Sequence, residues 1–409
     1  MTATIAQPVH EPDIASAEPR IPFADCWIAP NARKAAARVL ESGWMTTGPK
    51  VHEFETVFAQ RVEAPYAVAV SSCTDAIELS LRSLHLAPGA PVLTSTLTFC
   101  GAVQAIEHAG LTPVLVDVDP VTAMPTEATT YDAVNACDGP PAARLVVHLG
   151  GDPADVEALA AAAGLPMDRV VQDAAHAIGT SRHGEPIGSG TAACFSFYAT
   201  KNLPIGEGGM ITTDDPDRAA WLRQARLHGM SQDAWNRGLP GGSWRYNVHE
   251  HGLKANLSDL MAAIGIGQLA HLDEWQRRRA AIAARYDELL GGLPGIGLPH
   301  RPDSDEDRHA WHLYAIRILP EAGIARDAVM AAMADAGIGT SVHFIPIHRL
   351  DHLAAVSVAP AGGCPGADEL AEQLLSLPLY PRLTDAQVDR VAETLGSILK
   401  PGRPCGSLV

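Results

Sequence analysis

No part of this 409-residue chain is apolar for the length of a membrane-spanning helix. The nearest candidates, such as residues 191–198, are strand-sized, so no membrane partner is expected. The first twenty residues also lack a basic start followed by a continuous apolar block. They carry prolines and acidic residues and read as a loose arm, not a secretory signal. Cysteine never occurs as a Cys-x-x-Cys pair. Its seven copies, at 26, 73, 100, 137, 194, 364 and 405, are scattered and odd in number. That pattern fits reduced thiols in a cytoplasm better than a disulfide framework or a zinc site, and no metal is expected. Positive charge is in deficit as well, with 30 Lys and Arg against 47 Asp and Glu and a net charge of −17. With no basic tract to displace counterions from a phosphate backbone, nucleic acid is not an expected partner. Any anionic ligand must be held by local groups.

What is present is a globular composition: 47% apolar residues and 36 glycines, on a chain long enough for two domains. Short apolar runs alternate with helical patterns from about residue 64 to 213: strands at 66–70, 91–94 and 113–118, helices at 75–86 and 101–109. Strands that are apolar throughout, in such alternation, indicate an α/β domain with a mainly parallel sheet covered on both faces. Residues 257–290 read as one long helix or a kinked pair linking the domains. A strand at 311–319, a helix at 326–336, a strand at 340–344 and helices at 367–375 and 384–399 then make a compact α+β unit. The expected division is a flexible arm (1–25), a large domain (26–275), a smaller C-terminal domain (276–400) and a tail (401–409).

The chemistry concentrates around Lys201, in the run Phe195-Ser196-Phe197-Tyr198-Ala199-Thr200-Lys201-Asn202, followed by Gly206-Glu207-Gly208-Gly209. A primary amine between an apolar strand and a glycine-rich turn can lose its proton by desolvation and form a Schiff base. Upstream, Arg169-Val170-Val171-Gln172-Asp173 runs an apolar strand into a carboxylate. Either residue alone would read as a surface lysine or a helix start; together they point to pyridoxal phosphate (PLP), which needs a lysine for its aldehyde and a carboxylate for its ring nitrogen. Phe99, after another strand, can stack on the ring or belong to the core. Ser71-Ser72-Cys73-Thr74-Asp75 joins a strand to a helix, where free N–H groups suit a phosphate, although such runs are more often simple caps. Ser196 could add a hydroxyl. His249, His251, His309 and His312 have no firm metal-ligand spacing and read as surface or rim residues.

These segments, with Ser42-Gly43-Trp44-Met45-Thr46-Thr47-Gly48-Pro49, Gln172-Asp173-Ala174-Ala175-His176-Ala177, Gly252-Leu253-Lys254-Ala255-Asn256-Leu257-Ser258-Asp259 and Thr340-Ser341-Val342-His343-Phe344, resemble the DegT/StrS-type sugar aminotransferases over about residues 42–399. Within that family the chain looks most similar to nucleotide-sugar 4-aminotransferases of the 4-amino-4-deoxyarabinose lipid A type. The resemblance implies the type I, aspartate aminotransferase-like fold of PLP-dependent transferases, with a mainly parallel seven-stranded sheet and a smaller C-terminal α+β domain. It implies Lys201 as the Schiff-base lysine, Asp173 as the pyridine partner, Phe99 as the stacking ring and His176 near the cofactor's phenolic oxygen. Ser72, Cys73, Thr74, Asp75 through its backbone, and Ser196 fall in the phosphate site. Asn256 matches a residue reaching the neighbouring subunit's phosphate, which implies a homodimer with shared active sites. Trp44, Thr46, Lys254, His343 and His348 fall at substrate positions.

The chain departs from many relatives in having Cys73 where they have glycine and Asp75 where they have a small residue. The implied activity is transfer of an amino group from glutamate to a keto sugar nucleotide, an NDP-4-keto-6-deoxyhexose in the first instance. Two alternatives stay open: an aminocyclitol (keto-inositol) aminotransferase, whose relatives usually carry Asn-Tyr-Arg where this chain has Lys254-Ala255-Asn256, and a non-catalytic PLP-binding regulator, for which no DNA-binding module is visible. A sugar dehydratase of the same family would have histidine in place of Lys201.

Overall fold

The computed structural model describes residues 20–231, 244–302 and 304–400. Seven strands form the main sheet: β1 (Tyr66–Val70), β2 (Pro91–Ser95), β3 (Thr112–Val116), β4 (Ala143–Val147), β5 (Val170–Asp173), β8 (Ala192–Ser196) and β9 (Gly209–Thr213), with a two-residue hairpin, β6 (Ser181–Arg182) and β7 (Glu185–Pro186), beside them. Their order is β1-β9-β8-β5-β4-β2-β3. All neighbours are parallel except those of β9, which runs antiparallel to both β1 and β8. Nearly every strand residue is buried, because helices cover both faces; this is why the strands read as continuous apolar runs and not as alternation.

One face packs Phe54 and Phe58 of the helix Pro49–Arg61 against Phe195 and Phe197, with ring centroids 5.0–5.4 Å apart. Gly265 and Gly267 of the helix Asp259–Leu269 let that layer close: a Cβ on Gly267 would lie 2.5 Å from Ala32 Cα, and one on Gly265 would strike the Phe54 ring. The other face carries Ile77, Leu79 and Leu81 of the helix Cys73–Arg82 and Ala102, Ala105 and Ile106 of the helix Cys100–His108. C-terminal to this lies a three-stranded antiparallel sheet, β10 (Ile296–Gly297), β11 (Tyr314–Ile318) and β12 (Leu374–Leu377), backed by the helices Arg326–Asp335 and Asp385–Leu399 around their own apolar core.

The stretch expected as a long helix is the kinked pair Asp259–Leu269 and Leu272–Leu290. The second of these places Leu272 in the core of the main sheet and Ile282, Ala283, Tyr286 and Leu290 in the C-terminal core, so the expected boundary at 275 falls inside one helix. Three other expectations are corrected. Residues 340–344 form no strand, because only Ser341 pairs, with Ser376, before the chain turns toward the main sheet. Residues 1–19 of the expected arm lie outside the described residues, and in its remaining part Ile21 is buried and bonded to Gly337 and Gly339, which supply the backbone partners it needs. The helix expected over 367–375 gives way at Leu374 to β12.

Candidate active site

The parallel strands deliver their C-terminal ends to one cavity of about 460 Å³. In open α/β sheets this is the edge where side chains converge on ligands. Val147 and His148 arrive from β4, Asp173 from β5 and Ser196 from β8; Ser72, Cys73 and Thr74 come from the turn after β1, and Thr98 and Phe99 from the turn after β2. Lys201, His176, Tyr198, Glu207, His312, His343 and Phe344 complete most of the wall.

Lys201 is only half-buried by area, but its amine lies deep enough that burial lowers its pKa to about 8, against the opposing pull of Asp173 and Cys73. About a tenth of the amine is therefore neutral at pH 7, against a negligible fraction for a free lysine. Asp173 is buried, which raises its pKa, while the Ala175 N–H (3.0 Å to Oδ1), Lys201 and the Cys73 thiol (3.9 Å) hold it down in part. The thiol also donates to the Cys194 carbonyl at 3.4 Å, and burial pushes its pKa up, so Cys73 stays protonated.

The anion end of the cavity is built at the start of the helix Cys73–Arg82. Ser72 caps it, its Oγ accepting from the Asp75 N–H at 3.0 Å. Among the described residues the N–H groups of Cys73 and Thr74 have no backbone partner, and both residues face the cavity. Gly209 makes the site possible: a Cβ there would lie 2.4 Å from Ser72 O. The donor set thus fits a phosphate, and the buried carboxylate and desolvated amine fit the two reactive ends of PLP.

His176, His148, His312 and His343 surround the cavity with neutral imidazoles, since burial lowers the pKa of each. His176 Nδ1 accepts from the Gly150 N–H at 3.1 Å, and His343 Nδ1 pairs with Ser376 Oγ at 2.9 Å.

Of the site residues expected from the sequence, Ser72, Cys73, Thr74, Phe99, Asp173, His176, Ser196, Lys201 and His343 line this cavity, whereas Trp44, Thr46, Asp75, Lys254, Asn256 and His348 do not; His312, expected at the surface or a rim, is buried and lines it too. The Asp75 N–H is already engaged by Ser72, and its carboxylate accepts from Ser71 and Ser72, at 2.6 and 2.8 Å, so its expected backbone contact is corrected to a role inside the cap. His348 is bonded through both ring nitrogens, to Thr96 and Asp368, which leaves none for a substrate. Trp44, Thr46, Lys254 and Asn256 gather elsewhere: Asn256 Nδ2 donates to Thr47 Oγ1 at 2.7 Å, Lys254 donates to Asn256, Trp44 Nε1 donates to Thr47 O at 3.3 Å, and Thr46 O accepts from the Asp259 N–H.

Sequence reasoning missed His148, Tyr198, Glu207, His312 and Phe344 as cavity residues. His148 had a readable signal, because it directly follows an apolar strand. His312 had none, since only tertiary contact brings it there.

The model of the DegT/DnrJ/EryC1/StrS aminotransferase family matches residues 28–396. The chain is 42% identical over 385 residues to the spore coat polysaccharide biosynthesis protein SpsC of Bacillus subtilis (strain 168), covering 93% of this chain and 97% of that protein. Among solved structures it is similar to S. venezuelae DesV in complex with a ketimine intermediate (34% identity, TM-score 0.84, covering 94% of this chain and all of the other). It is likewise similar to the PLP form of Spr1654 from Streptococcus pneumoniae (28% identity, TM-score 0.83, covering 93% and 98%). A third similar structure is the sugar aminotransferase CalS13 from Micromonospora echinospora (30% identity, TM-score 0.81, covering 92% and 99%). The chain belongs to the DegT/DnrJ/EryC1/StrS family and is a PLP-dependent aminotransferase of the type I fold.

Proposed function

We propose that this aminotransferase moves an amino group from glutamate to the ketone of a nucleotide-linked sugar, an NDP-4-keto-6-deoxyhexose, giving an aminosugar nucleotide for glycan or natural-product biosynthesis. The observation that carries the chemistry is the amine of Lys201, lowered to about pKa 8, in one cavity with the buried carboxylate of Asp173. The sugar class is supported by the polysaccharide role named for SpsC and by the sugar aminotransferase CalS13.

When bound, PLP supplies a carbonyl for the incoming amine and a protonated ring that draws the electron pair from the donor's α-carbon. Thr74 and Ser196, with the N–H groups of Cys73 and Thr74, would hold its phosphate, while Ser72, whose hydroxyl donates to Asp75, keeps the cap in shape beneath it. Asp173 keeps the proton on the ring nitrogen, and Phe99 offers a flat apolar contact. The neutral Nζ of Lys201 takes the α-proton of glutamate and returns a proton when 2-oxoglutarate forms, then runs the same transfers in reverse on the sugar. His176 and His343, both neutral, add hydrogen-bonding edges without repelling the lysine.

A homodimer with shared sites completes the proposal. Trp44, Thr46, Lys254 and Asn256 lie together but apart from their own chain's cavity, an arrangement suited to serving a neighbour's. Residence in the cytoplasm is part of the same reading.

Protein loaded with PLP should be yellow and should bleach on addition of glutamate with release of 2-oxoglutarate. The bleached form should then aminate one member of a panel of 3-keto and 4-keto nucleotide sugars. Colour that glutamate leaves unchanged would refute the transaminase reading; amination of a keto-inositol alone would replace the sugar nucleotide with an aminocyclitol precursor.

A further inference from the structure

His312 lies in the cavity wall, is buried, and has no part in the chemistry above. Its surroundings define its tautomer. Asn202 donates through Nδ2 to Ala310 O at 2.8 Å, which fixes Oδ1 as the acceptor facing His312 Nδ1 at 3.1 Å. The proton of His312 is therefore on Nδ1. His176 has the opposite arrangement: Nδ1 accepts from the Gly150 N–H, so its proton is on Nε2. The two rings lie 4.3 Å apart at 33°.

The backbone clamps this pair. Gly150 O accepts from the N–H groups of His312 and Leu313, and Gly151 O accepts from Ala310 N–H, so the segment entering β11 is fastened to the turn after β4. Gly151, at φ +94°, could bear no side chain there; a Cβ would lie 2.8 Å from His176 O. Asn202, which anchors His312, directly follows Lys201. One network thus joins the amine-bearing loop, the C-terminal unit and the ring of His176.

We infer that His312 is a positioning residue, whose ring, held by Asn202 while Gly150 pins its backbone, sets the plane of His176 so that the His176 Nε2–H points as a fixed donor into the cavity beside Lys201. The inference rests on the reading of Lys201 as the PLP-bearing residue. A fixed N–H dipole disfavours protonation of whatever lies in front of it. Weakening it raises the pH at which the bound cofactor titrates.

The test is a double-mutant cycle in PLP-loaded, full-length protein. In His312→Ala the pH midpoint of the cofactor's absorbance should rise by about half to one unit, and the glutamate half-reaction should slow by about 10-fold. His312→Phe, which keeps a flat ring against His176, should recover most of the midpoint. Once His176→Ala is present, His312→Ala should move the midpoint no further. A midpoint unmoved in His312→Ala, or shifts that add fully across the cycle, would overturn the assignment. If His312→Ala does not fold, Asn202→Ala, which removes the partner of His312 Nδ1, takes its place in the cycle with the same criterion. The underlying reading fails separately, if Lys201→Ala retains the wild-type pH-dependent absorbance.

Discussion

Lys201 meets two opposed demands, because it must be charged little enough to act as a base yet sit beside a carboxylate that favours its charge. Burial wins, which has a cost in the cofactor-free protein. There the folded pKa is about 8 against 10.5 for a free lysine, so the unfolded chain binds more protons between those values. The contribution of this group to stability is complete above 10.5 and is lost as pH falls through 8, leaving a penalty on the order of 3 kcal/mol at neutral pH. Lys201→Met should therefore stabilise the cofactor-free protein at neutral pH and gain little at pH 10.5; denaturant unfolding at the two pH values checks this, and an equal gain at both would contradict it. Lys201→Ala should lower turnover by at least about 10²–10⁴-fold while leaving the circular dichroism spectrum unchanged. The residues that carry this chemistry were legible because each stands alone at the end of an apolar strand. His312, Phe344 and Glu207 were not, since their place in the cavity depends on how distant segments dock.

Strands β1 to β3 and the helices between them were readable from periodicity, since full burial writes itself as unbroken apolar runs. The segment 340–344, expected as a strand, makes a single bridge and turns to bring His343 and Phe344 to the cavity. Close approaches between elements leave a fainter mark, in glycines whose purpose only the fold discloses. Gly209 lets β9 pass the cap at Ser72, and Gly209→Ala should push the two apart and weaken PLP binding by about 10-fold or more, as read by equilibrium dialysis. Gly267→Val, by contrast, wedges the helix Asp259–Leu269 from the helix Pro30–Ser42 at a position that does not line the cavity. It should cost about 1–3 kcal/mol of stability in thermal unfolding and spare cofactor affinity per folded molecule.

The α/β class, the C-terminal α+β unit and the helix pair that joins them followed from the order of strand and helix patterns; that the second helix belongs to both cores did not. If active sites are shared between two chains, mixing inactive Lys201→Ala with inactive Asn256→Ala and allowing exchange should restore activity, because half of the resulting dimers carry one site free of both lesions. The recovered rate should approach about a quarter of wild type, and no recovery after verified exchange would exclude a shared site. The helix Leu272–Leu290 bears on the single chain, since its first turn is rooted in one core and its later turns in the other. Neither half can melt without stripping apolar cover from its neighbour, so calorimetry should register one cooperative endotherm, and a polypeptide severed within that helix should yield two sticky fragments instead of two independent folds.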